Sequence, residues 1–374
     1  MNIVFAIFKY FPHGGLQRDM MRIAEALLRR GDRVTVFCHI WDDDSPTPEG
    51  LEVRKLPARG LSNHARAENF IRKLGEVLKN TPHDRFVAFN RMPGADFYFA
   101  ADNPFYQTAI RNVGKLGSRF LPRYRTFIAE ERSVFSPGSR TVILHLTRRQ
   151  KAEYMNIYHT PEERFRLLPP GIPPDRKRPA DADERRERKR GELGIGEDET
   201  LLLQVGSGFR TKGVDRSIAA FAALPEEFRE RTRLLVAGRG REKPLLKLAR
   251  RLGVDDRVRL LGARDDVPDL LLAADLLVHP ARNEAAGAVL TEALAAGLPV
   301  LCSGNCGFAD YVEESGGLVL PLPFSQRALN KTLLFALSTP EKLEDMRQNA
   351  IGYGQHADFY RRAEVAADLI RGEA

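Results

Sequence analysis

The amino-acid sequence predicts an α/β fold made of two doubly wound, Rossmann-like domains. Near the N-terminus, an apolar run at 2–8 precedes apolar residues at helical spacing over 16–28 and an alternating apolar pattern over 34–40. This order is typical of a βαβ unit. In the second half, apolar runs at 201–205, 234–237, 258–261, 276–278 and 299–302 alternate with helical stretches. Such alternation indicates a parallel sheet covered by helices on both faces.

A proline-rich stretch divides the chain. Four of the first six residues of PPGIPPDRKRP, at 169–179, are proline, and proline disfavours a regular helix there. We therefore predict an N-terminal domain over 1–168, completed by a C-terminal helix over 355–374, and a second domain over 169–354. Because doubly wound domains bind ligands at the carboxyl ends of their strands, we expect the two domains to face each other across a deep cleft that holds the site.

Composition excludes several classes of protein. The 374 residues include 58 basic and 50 acidic ones, for a net charge of +8, and 43% are hydrophobic, which is a globular composition rather than a disordered or fibrous one. The charge run at 181–190 mixes both signs, so we interpret it as the solvated start of a helix and not as a nucleic-acid arm. No nucleic-acid-binding motif supports a nucleic-acid partner.

The cysteines and the N-terminus indicate a cytoplasmic protein. Three cysteines are too few for a disulfide framework, and the first apolar stretch meets Lys9 without a cleavage site, so we expect a reducing compartment. No apolar run reaches the roughly 18 residues of a membrane span.

The segment NEAAGAVLTEALAAG, at 283–297, follows a predicted strand and predicts a buried helix over 285–296. Its first residues, Ala285, Ala286 and Gly287, have almost no side chain. Backbone N–H groups at the positive helix end could therefore approach an anion such as a phosphate.

Two carboxylates flank this predicted anion site. Glu284 stands just before the helix, and Glu292 lies inside it. Carboxylates accept hydrogen bonds from vicinal hydroxyl groups, so a sugar at Glu284, a diphosphate at the helix end and a ribose at Glu292 form one consistent ligand. The alternative is that Glu284 only adds negative charge to the helix start and Glu292 is a surface residue.

Two glycine-containing turns are further candidates. In VGSGFRTKG, at 205–213, Arg210 and Lys212 end a strand-to-helix turn, where cations could face a diphosphate; the alternative is two solvated loop cations. The turn lacks the pattern of a P-loop. In the first βα turn, Gly15 follows Gly14 and would let the backbone approach a ligand, although a plain turn explains the pair as well.

We expect no metal ion. The histidines and cysteines lack the spacing of zinc ligands. The aspartate run at 42–44 lies in a predicted loop that ends at Ser45 and Pro46, so we interpret it as a solvated loop and not as a ligand cluster.

The segment over 105–127 combines aromatic and basic residues. It contains Phe105, Tyr106, Phe120, Tyr124 and Phe127 together with Arg111, Lys115, Arg119, Arg123 and Arg125. This mixture suits an anionic membrane surface, where bases meet lipid headgroups and aromatic rings settle at the interface. The alternative is a helix pair packed on the sheet with basic outer faces.

Together these motifs resemble the retaining glycosyltransferases of the GT-B fold, family 4, whose E-x₇-E motif matches Glu284 to Glu292. The segments 9–24, 89–102, 167–177, 201–218 and 279–301 are similar to those family members that glucosylate the inner-core heptose of lipopolysaccharide. The resemblance spans nearly the whole chain, and its first two segments are far more specific than the E-x₇-E pair.

The resemblance implies transfer of α-glucose from UDP-glucose to that heptose, without metal or other cofactor, on the cytoplasmic face of the inner membrane of a Gram-negative cell. By this resemblance, Gly15 approaches the donor phosphate, and Arg176 and Lys212 bind the diphosphate. Glu284 binds glucose hydroxyls, Glu292 binds the ribose, and backbone groups near Arg264 bind the base. One position departs from the family. The arginine expected directly before Lys-Gly is Thr211 here, and Arg210 stands one residue earlier.

Several alternatives remain open from the sequence. Asp19 and Asp102, in the acceptor-side domain, are candidates to orient the acceptor, but each could instead cap or solvate a helix. The enzyme could transfer another sugar from a sugar nucleotide, or it could be a nucleotide-sugar epimerase of the same fold, which needs no acceptor.

Overall fold

The computed structural model describes residues 1–12, 14–42, 47–338 and 340–373. Asp43 and Asp44 of the aspartate run lie outside the described residues. The chain divides into two compact units, one formed by 1–171 with 361–374 and the other by 172–360. The predicted boundaries were 1–168 with 355–374 and 169–354. Each unit has its own parallel sheet, so the α/β prediction of two doubly wound domains is confirmed.

Over 2–40 and 201–302, the helices and strands follow one another in the order that the periodicity predicts. Up to residue 171 they are β1 (Asn2–Tyr10), α1 (Gly15–Arg29), β2 (Arg33–Trp41), β3 (Leu51–Lys55), α2 (Asn63–Leu78), β4 (Arg85–Ala88), β5 (Phe97–Ala100), α3 (Phe105–Phe120), α4 (Pro122–Phe135), β6 (Val142–His145), α5 (Arg148–Tyr158) and β7 (Phe165–Leu167). From residue 172 they are α6 (Ala182–Leu193), β8 (Thr200–Val205), α7 (Phe209–Lys212), α8 (Val214–Ala222), α9 (Glu226–Arg229), β9 (Thr232–Ala237), α10 (Glu242–Arg251), β10 (Val258–Gly262), α11 (Val267–Ala273), β11 (Leu276–His279), α12 (Ala288–Ala295), β12 (Val300–Ser303), α13 (Ala309–Glu314), β13 (Leu318–Leu320), α14 (Gln326–Ser338), α15 (Pro340–His356) and α16 (Arg362–Arg371).

The first unit contains a seven-stranded sheet in the order β3-β2-β1-β4-β5-β6-β7. Every pairing is parallel, and the central strands are buried, with residues 3–7 of β1 at most 2% exposed. Strands buried on both faces need the continuous apolar runs seen in the sequence. The strand order reverses between β1 and β4, and ligands of such sheets bind outside the carboxyl ends of the strands at this point.

The last helix belongs to the first unit and is fixed there by ion pairs. Arg362 donates to Asp19 at 2.7 Å and to the backbone oxygen of Pro169 at 3.0 Å. At the other end of α16, Arg371 contacts Asp32 at 2.7 Å, whose side chain is only 1% exposed. The predicted helix over 355–374 is therefore wrong in its bounds, because α15 runs to His356 and α16 begins at Arg362.

The second unit contains a six-stranded parallel sheet in the order β10-β9-β8-β11-β12-β13. Here the order reverses between β8 and β11. Two apolar clusters, one on each face of this sheet, form its core, and their members include Leu203, Leu277 and Leu294 on one side and Leu202, Phe221 and Leu333 on the other. This unit therefore has the same doubly wound arrangement as the first.

The charge run at 181–190 forms most of α6, but it is not wholly solvated as predicted. Lys189 and Arg190 are buried. Arg190 contacts Asp275 at 3.0 Å, and Lys189 contacts Asp266 at 3.0 Å. Both cations lose water on burial, and an ion pair compensates for that loss. Lys189 also pairs with Glu192 three positions along the helix. Asp266 and Asp275 are distant in sequence, so spacing alone does not predict that they pair with Lys189 and Arg190.

Candidate active site

The strongest candidate site lies at the carboxyl ends of β8 and β11, the neighbouring strands at which the sheet order of the second unit reverses. The turn after β8 runs from Gly206 to Gly213 and contains the short helix α7. The loop after β11 runs from Pro280 to Gly287. These two connections bring together the two segments that the sequence analysis singled out.

Gly213 allows the two connections to meet. It has φ +72°, and a Cβ atom there would lie 2.2 Å from the backbone oxygen of Pro280. A side chain would therefore clash with the backbone after β11 and strain the left-handed conformation. Gln204 adds a second link, because its side-chain nitrogen donates to the backbone oxygen of Lys212 at 2.7 Å.

The centre of the site is an ion pair between Lys212 and Glu284. His279, the last residue of β11, is fully buried and places Nε2 3.2 Å from the same carboxylate oxygen of Glu284. Burial of Glu284 favours its neutral form, but the hydrogen bond from His279 and the charge of Lys212 hold the pKa of this carboxyl below its usual value. Glu284 is therefore a fixed, ionised carboxylate.

The loop that carries Glu284 is held on the neighbouring connection. Glu284 forms a parallel bridge with Cys306 after β12, and the Phe308 amide donates to the backbone oxygen of Ala286 at 2.8 Å. Gly287 has φ +93°, so the helix cannot extend back through it.

The predicted helix over 285–296 is therefore wrong at its start, because α12 begins at Ala288. Ala285, Ala286 and Gly287 form a turn instead.

A second ion pair fixes the turn after β8. Both terminal nitrogens of Arg282 donate hydrogen bonds to the Asp215 carboxylate, at 2.7 Å each. One of them, Nη1, also donates to the backbone oxygen of Arg210 at 2.9 Å. The Arg282 amide donates to the backbone oxygen of Thr211 at 2.8 Å. The side chain of Arg210 is itself exposed, so its backbone takes part in the turn while its guanidinium points to solvent.

Three further predicted residues lie in the second unit. In a 3₁₀ turn at Pro174–Arg176, the Nε and Nη1 atoms of Arg176 are buried and have no hydrogen-bond partner among the described residues. A guanidinium in this state is suited to an anionic ligand. Glu292 is half-buried on α12. Arg264 is exposed and paired with Asp266.

The first unit holds the other predicted residues. Gly15 is exposed at the first position of α1, and the space where its Cβ would lie is open. Asp19 is paired with Arg362 at 2.7 Å. Asp102 follows β5, its side chain is exposed, and its backbone oxygen accepts hydrogen bonds from Gln150 and Tyr154 at 2.9 and 3.1 Å.

The segment over 105–127 forms α3 and the first part of α4. Gly114 has φ +70° and kinks α3. The Phe105 ring lies 5.9 Å from the Tyr124 ring and 5.4 Å from the Phe127 ring, so these aromatics join the two helices. Phe120 is 66% exposed, with Leu116 and Leu121 also exposed beside it. The five basic residues, Arg111, Lys115, Arg119, Arg123 and Arg125, are all exposed.

Sequence reasoning missed His279 and Arg282 as site residues. His279 ends β11, and Arg282 lies two residues before Glu284 on the connection that follows. A histidine at the carboxyl end of a buried strand was the available signal. Among the described residues there is no group of three or more potential metal-ligating side chains. No helix in the described ranges is long and apolar enough to cross a membrane.

Two family models match the chain, Glycosyltransferase Family 4 over residues 13–176 and Glycosyl transferases group 1 over residues 185–352. The chain is also 44% identical over 373 residues to lipopolysaccharide glucosyltransferase WaaG of Escherichia coli K12, covering 100% of this chain and 99% of that relative. The chain belongs to the family 4 glycosyltransferases. The site at Lys212 and Glu284 lies within the group 1 match, and the exposed Gly15 lies within the family 4 match.

Solved structures have the same fold as this glycosyltransferase. The crystal structure of WaaG is 44% identical, with 99% of this chain and 100% of that chain covered and a TM-score of 0.87. A structure of Anabaena HepE in complex with UDP and glucose is 18% identical, with full coverage of both chains and a TM-score of 0.71. The fold of this glycosyltransferase is therefore GT-B, as the resemblance implied.

Proposed function

We propose that the protein is a retaining glucosyltransferase that moves α-glucose from UDP-glucose to the inner-core heptose of lipopolysaccharide. The observation that carries the proposal is the pairing of Lys212 with Glu284 at the switch point, which puts a cation for a diphosphate beside a carboxylate for sugar hydroxyls. The E. coli relative supports the sugar and the acceptor, since its name is lipopolysaccharide glucosyltransferase. UDP and glucose are the ligands of the HepE structure.

The chemistry follows from where charge develops. Cleavage of the anomeric bond leaves an oxocarbenium-like sugar and a diphosphate whose negative charge grows toward the transition state. Lys212 and Arg176, whose buried Nε and Nη1 have no hydrogen-bond partner among the described residues, stabilise that charge more in the transition state than in the ground state. The acceptor hydroxyl attacks from the same face that the diphosphate leaves, and a phosphate oxygen takes its proton. This scheme uses no metal ion.

Other residues position the substrates. Glu284, ionised and fixed by His279, accepts hydrogen bonds from glucose hydroxyls, and Glu292 binds the ribose. Backbone groups near Arg264 hold the base, and Gly15 lets the backbone of α1 approach the donor phosphate. Of the two carboxylates considered for the acceptor, we assign orientation to Asp102, which is exposed at the end of β5, because Asp19 is already paired with Arg362.

Turnover of a panel of nucleotide sugars, with and without a heptose-terminated core oligosaccharide, tests the proposal. We expect glucose transfer from UDP-glucose only when the acceptor is present, with retention at the anomeric carbon and no loss of rate in a chelator. Conversion of the donor without acceptor would instead identify an epimerase. Loss of activity in chelator with rescue by magnesium would contradict the metal-free scheme.

We also propose that the protein binds peripherally to the cytoplasmic face of the inner membrane through the segment over 105–127. Its lipid-carried acceptor requires a site near the bilayer, and the exposed Phe120 and Leu116 stand among exposed bases. Each Lys or Arg near an anionic bilayer contributes about 1 kcal/mol. The exposed apolar side chains add a contribution that salt does not screen.

Replacing Arg119, Arg123 and Arg125 with glutamine should release much of the protein from vesicles that contain anionic lipid. Transfer to a soluble acceptor should stay intact, because these side chains are exposed and outside the proposed donor site. Co-sedimentation with anionic and neutral vesicles measures the effect. Unchanged binding of the triple variant would assign the contact to another surface, and equally tight binding to neutral vesicles would contradict the electrostatic contribution.

A further inference from the structure

The first unit contains a pocket of about 540 Å³, a volume typical of ligand sites. Its lining comes from the ends of β1 and β2, the residues after β4, and the facing sides of α2 and α4. Lys9 of β1 pairs in register with Ile40 of β2, and both line the pocket. Because the strand order reverses between β1 and β4, the pocket is located where a doubly wound sheet binds its ligand.

Aromatic and polar groups share the lining. Phe8, Phe70 and Phe127 contribute rings, and the Phe8 and Phe70 rings meet edge to face at 5.7 Å. Aromatic faces of this kind pack against the C–H face of a sugar ring. The Phe8 amide donates to Asn90 Oδ1 at 2.7 Å, which fixes the orientation of that amide side chain at the edge of the pocket.

His39 is oriented as a hydrogen-bond donor. Its Nδ1 accepts from the Ala58 amide at 2.9 Å, so a neutral ring carries its proton on Nε2. Burial lowers the pKa of His39, and the charges of Arg66 and Lys73 lower it further. The ring is therefore neutral at pH 7 and can donate to a ligand hydroxyl group.

The pocket lining contains more cationic side chains than carboxyl groups. Lys9 and Arg66 line the pocket, and neither forms an ion pair with a carboxylate of the described residues; Arg66 donates to Asn63 at 2.8 Å. Arg91 is already paired with Glu131 at 3.0 Å. Glu130 is the one carboxyl group in the described lining, and its Oε1 is buried with no hydrogen-bond partner.

The environment keeps Glu130 protonated at neutral pH. Burial and the nearby carboxylate of Glu68 raise its pKa to about 8, against the opposing charge of Arg91. The titratable and charged groups around it are Lys9 from β1, His39 from β2, Arg66 and Glu68 from α2, and Arg91 after β4. With Glu130 neutral, the pocket has an excess of positive charge and a free carboxylic acid.

We propose that this pocket binds an acidic saccharide, with Lys9 and Arg66 facing its carboxylate or phosphate and Glu130 and His39 hydrogen-bonded to its hydroxyl groups. The inference rests on the proposed function in one respect: it takes this saccharide to be part of the acceptor. The three phenylalanine rings supply the apolar face, and the two cations supply selectivity for charge over a neutral sugar.

Titration with single sugars tests the site directly, with the fluorescence of the only tryptophan as the readout. Trp41 follows Ile40 and stacks on Tyr10 at 3.9 Å, so it is next to the lining. We expect saturable binding of methyl glucuronide or glucose 6-phosphate, and much weaker binding of methyl glucoside. Comparison of methyl glucuronide with glucose 6-phosphate shows whether the pocket prefers a carboxylate or a phosphate. Binding of inorganic phosphate as tight as that of both acidic sugars would overturn the proposal, since the sugar would then contribute nothing.

Alanine variants of the two pocket cations test the site, and two other variants serve as controls. Arg66→Ala and Lys9→Ala should each weaken binding of the acidic sugar roughly tenfold or more. Arg72→Ala should not, because Arg72 is on the same helix but is paired with Glu76 at the surface and does not line the pocket. Lys212→Ala should also leave this binding unchanged, which excludes binding at the proposed donor site. Equal affinity of Arg66→Ala, Lys9→Ala and the wild type would overturn the proposal.

A pH series tests the role of Glu130. Ionisation of Glu130 above pH 8 should weaken binding of an acidic sugar severalfold between pH 7 and pH 9. Glu130→Gln should bind as the wild type does at pH 7 and should lose this pH dependence. A wild-type affinity that does not change with pH, or the same decline in Glu130→Gln, would contradict the assignment of Glu130.

The acceptor assay separates this inference from the proposed function. If glucose transfer to the heptose-terminated core proceeds while no acidic sugar binds, the inference fails and the proposed function stands. If acidic sugars bind through Lys9 and Arg66 while no glucose is transferred, the proposed function fails and the site remains.

Discussion

Lys212→Ala is expected to lower kcat by about 10² to 10³, with a much smaller change in the KM for the donor. Lys212 is fixed by Glu284 and by the hydrogen bond from Gln204 to its backbone, so its charge is in place before the diphosphate leaves. Because the charge on the diphosphate grows toward the transition state, the loss should appear in kcat. Steady-state kinetics with UDP-glucose and a core acceptor measures both constants.

Glu292→Ala is the contrasting variant, because a ribose is bound equally in the ground and transition states. It should weaken UDP binding by about 1.5 to 3 kcal/mol and leave kcat nearly unchanged. Lys247→Ala, an exposed lysine on α10, should change neither constant. A wild-type kcat in Lys212→Ala would remove Lys212 from the leaving-group role, and wild-type UDP affinity in Glu292→Ala would refute the ribose assignment.

Glu131→Gln should cause the largest loss of stability, about 3 to 5 kcal/mol. The side chain of Glu131 is fully buried and 3.0 Å from Arg91, and it accepts hydrogen bonds from the Phe105 and Tyr106 amides at 2.7 and 2.9 Å and from the Tyr158 hydroxyl. Removal of its charge leaves a buried guanidinium uncompensated. Thermal unfolding should show a Tm lower by roughly 6 to 20 °C for the first unit.

Replacement of the adjacent residue, Glu130, should have the opposite effect on stability. Glu130 has its pKa raised to about 8, so its contribution to stability is fully present below the unfolded pKa and is lost as pH rises through 8. Glu130→Gln should therefore raise the Tm at pH 7 and have much less effect at pH 4, where the carboxyl group is mostly protonated in both the folded and the unfolded state. A lower Tm for Glu130→Gln at pH 7, or an unchanged Tm for Glu131→Gln, would contradict these electrostatic assignments.

Local patterns predicted β1, β2 and every strand of the second unit except β13, but they indicated no strand between residues 41 and 168. The run at 2–8 and the five runs of the second half correspond to β1, β8, β9, β10, β11 and β12 to within two residues at every end, because strands buried on both faces must be continuously apolar. Helix ends were less predictable. The start of α12 depends on the left-handed Gly287 and on the Phe308 amide, and the second of these is 21 positions further along the chain.

The site was only partly predictable, because its contacts also join residues that are distant in sequence. Lys212 and Glu284 could be selected because each lies between a predicted strand and a predicted helix, yet their direct ion pair is a tertiary contact across 72 positions. Glu130 gave no signal, since nothing in the pattern around it shows that Oε1 is buried without a partner. Pairing and desolvation of charged groups depend on residues distant in sequence, and spacing alone does not contain them.

The return of α16 to the first unit affects the order in which the protein can fold during synthesis. Asp19 and Asp32 find their arginine partners only at 362 and 371, about 190 residues after the rest of that unit has been made. At about 5 to 20 residues per second, the ribosome leaves the N-terminal unit without its last helix for about 10 to 40 s. The second unit, continuous over 172–360, can be complete before the first. The half of the protein that is translated first is therefore the one that finishes folding last.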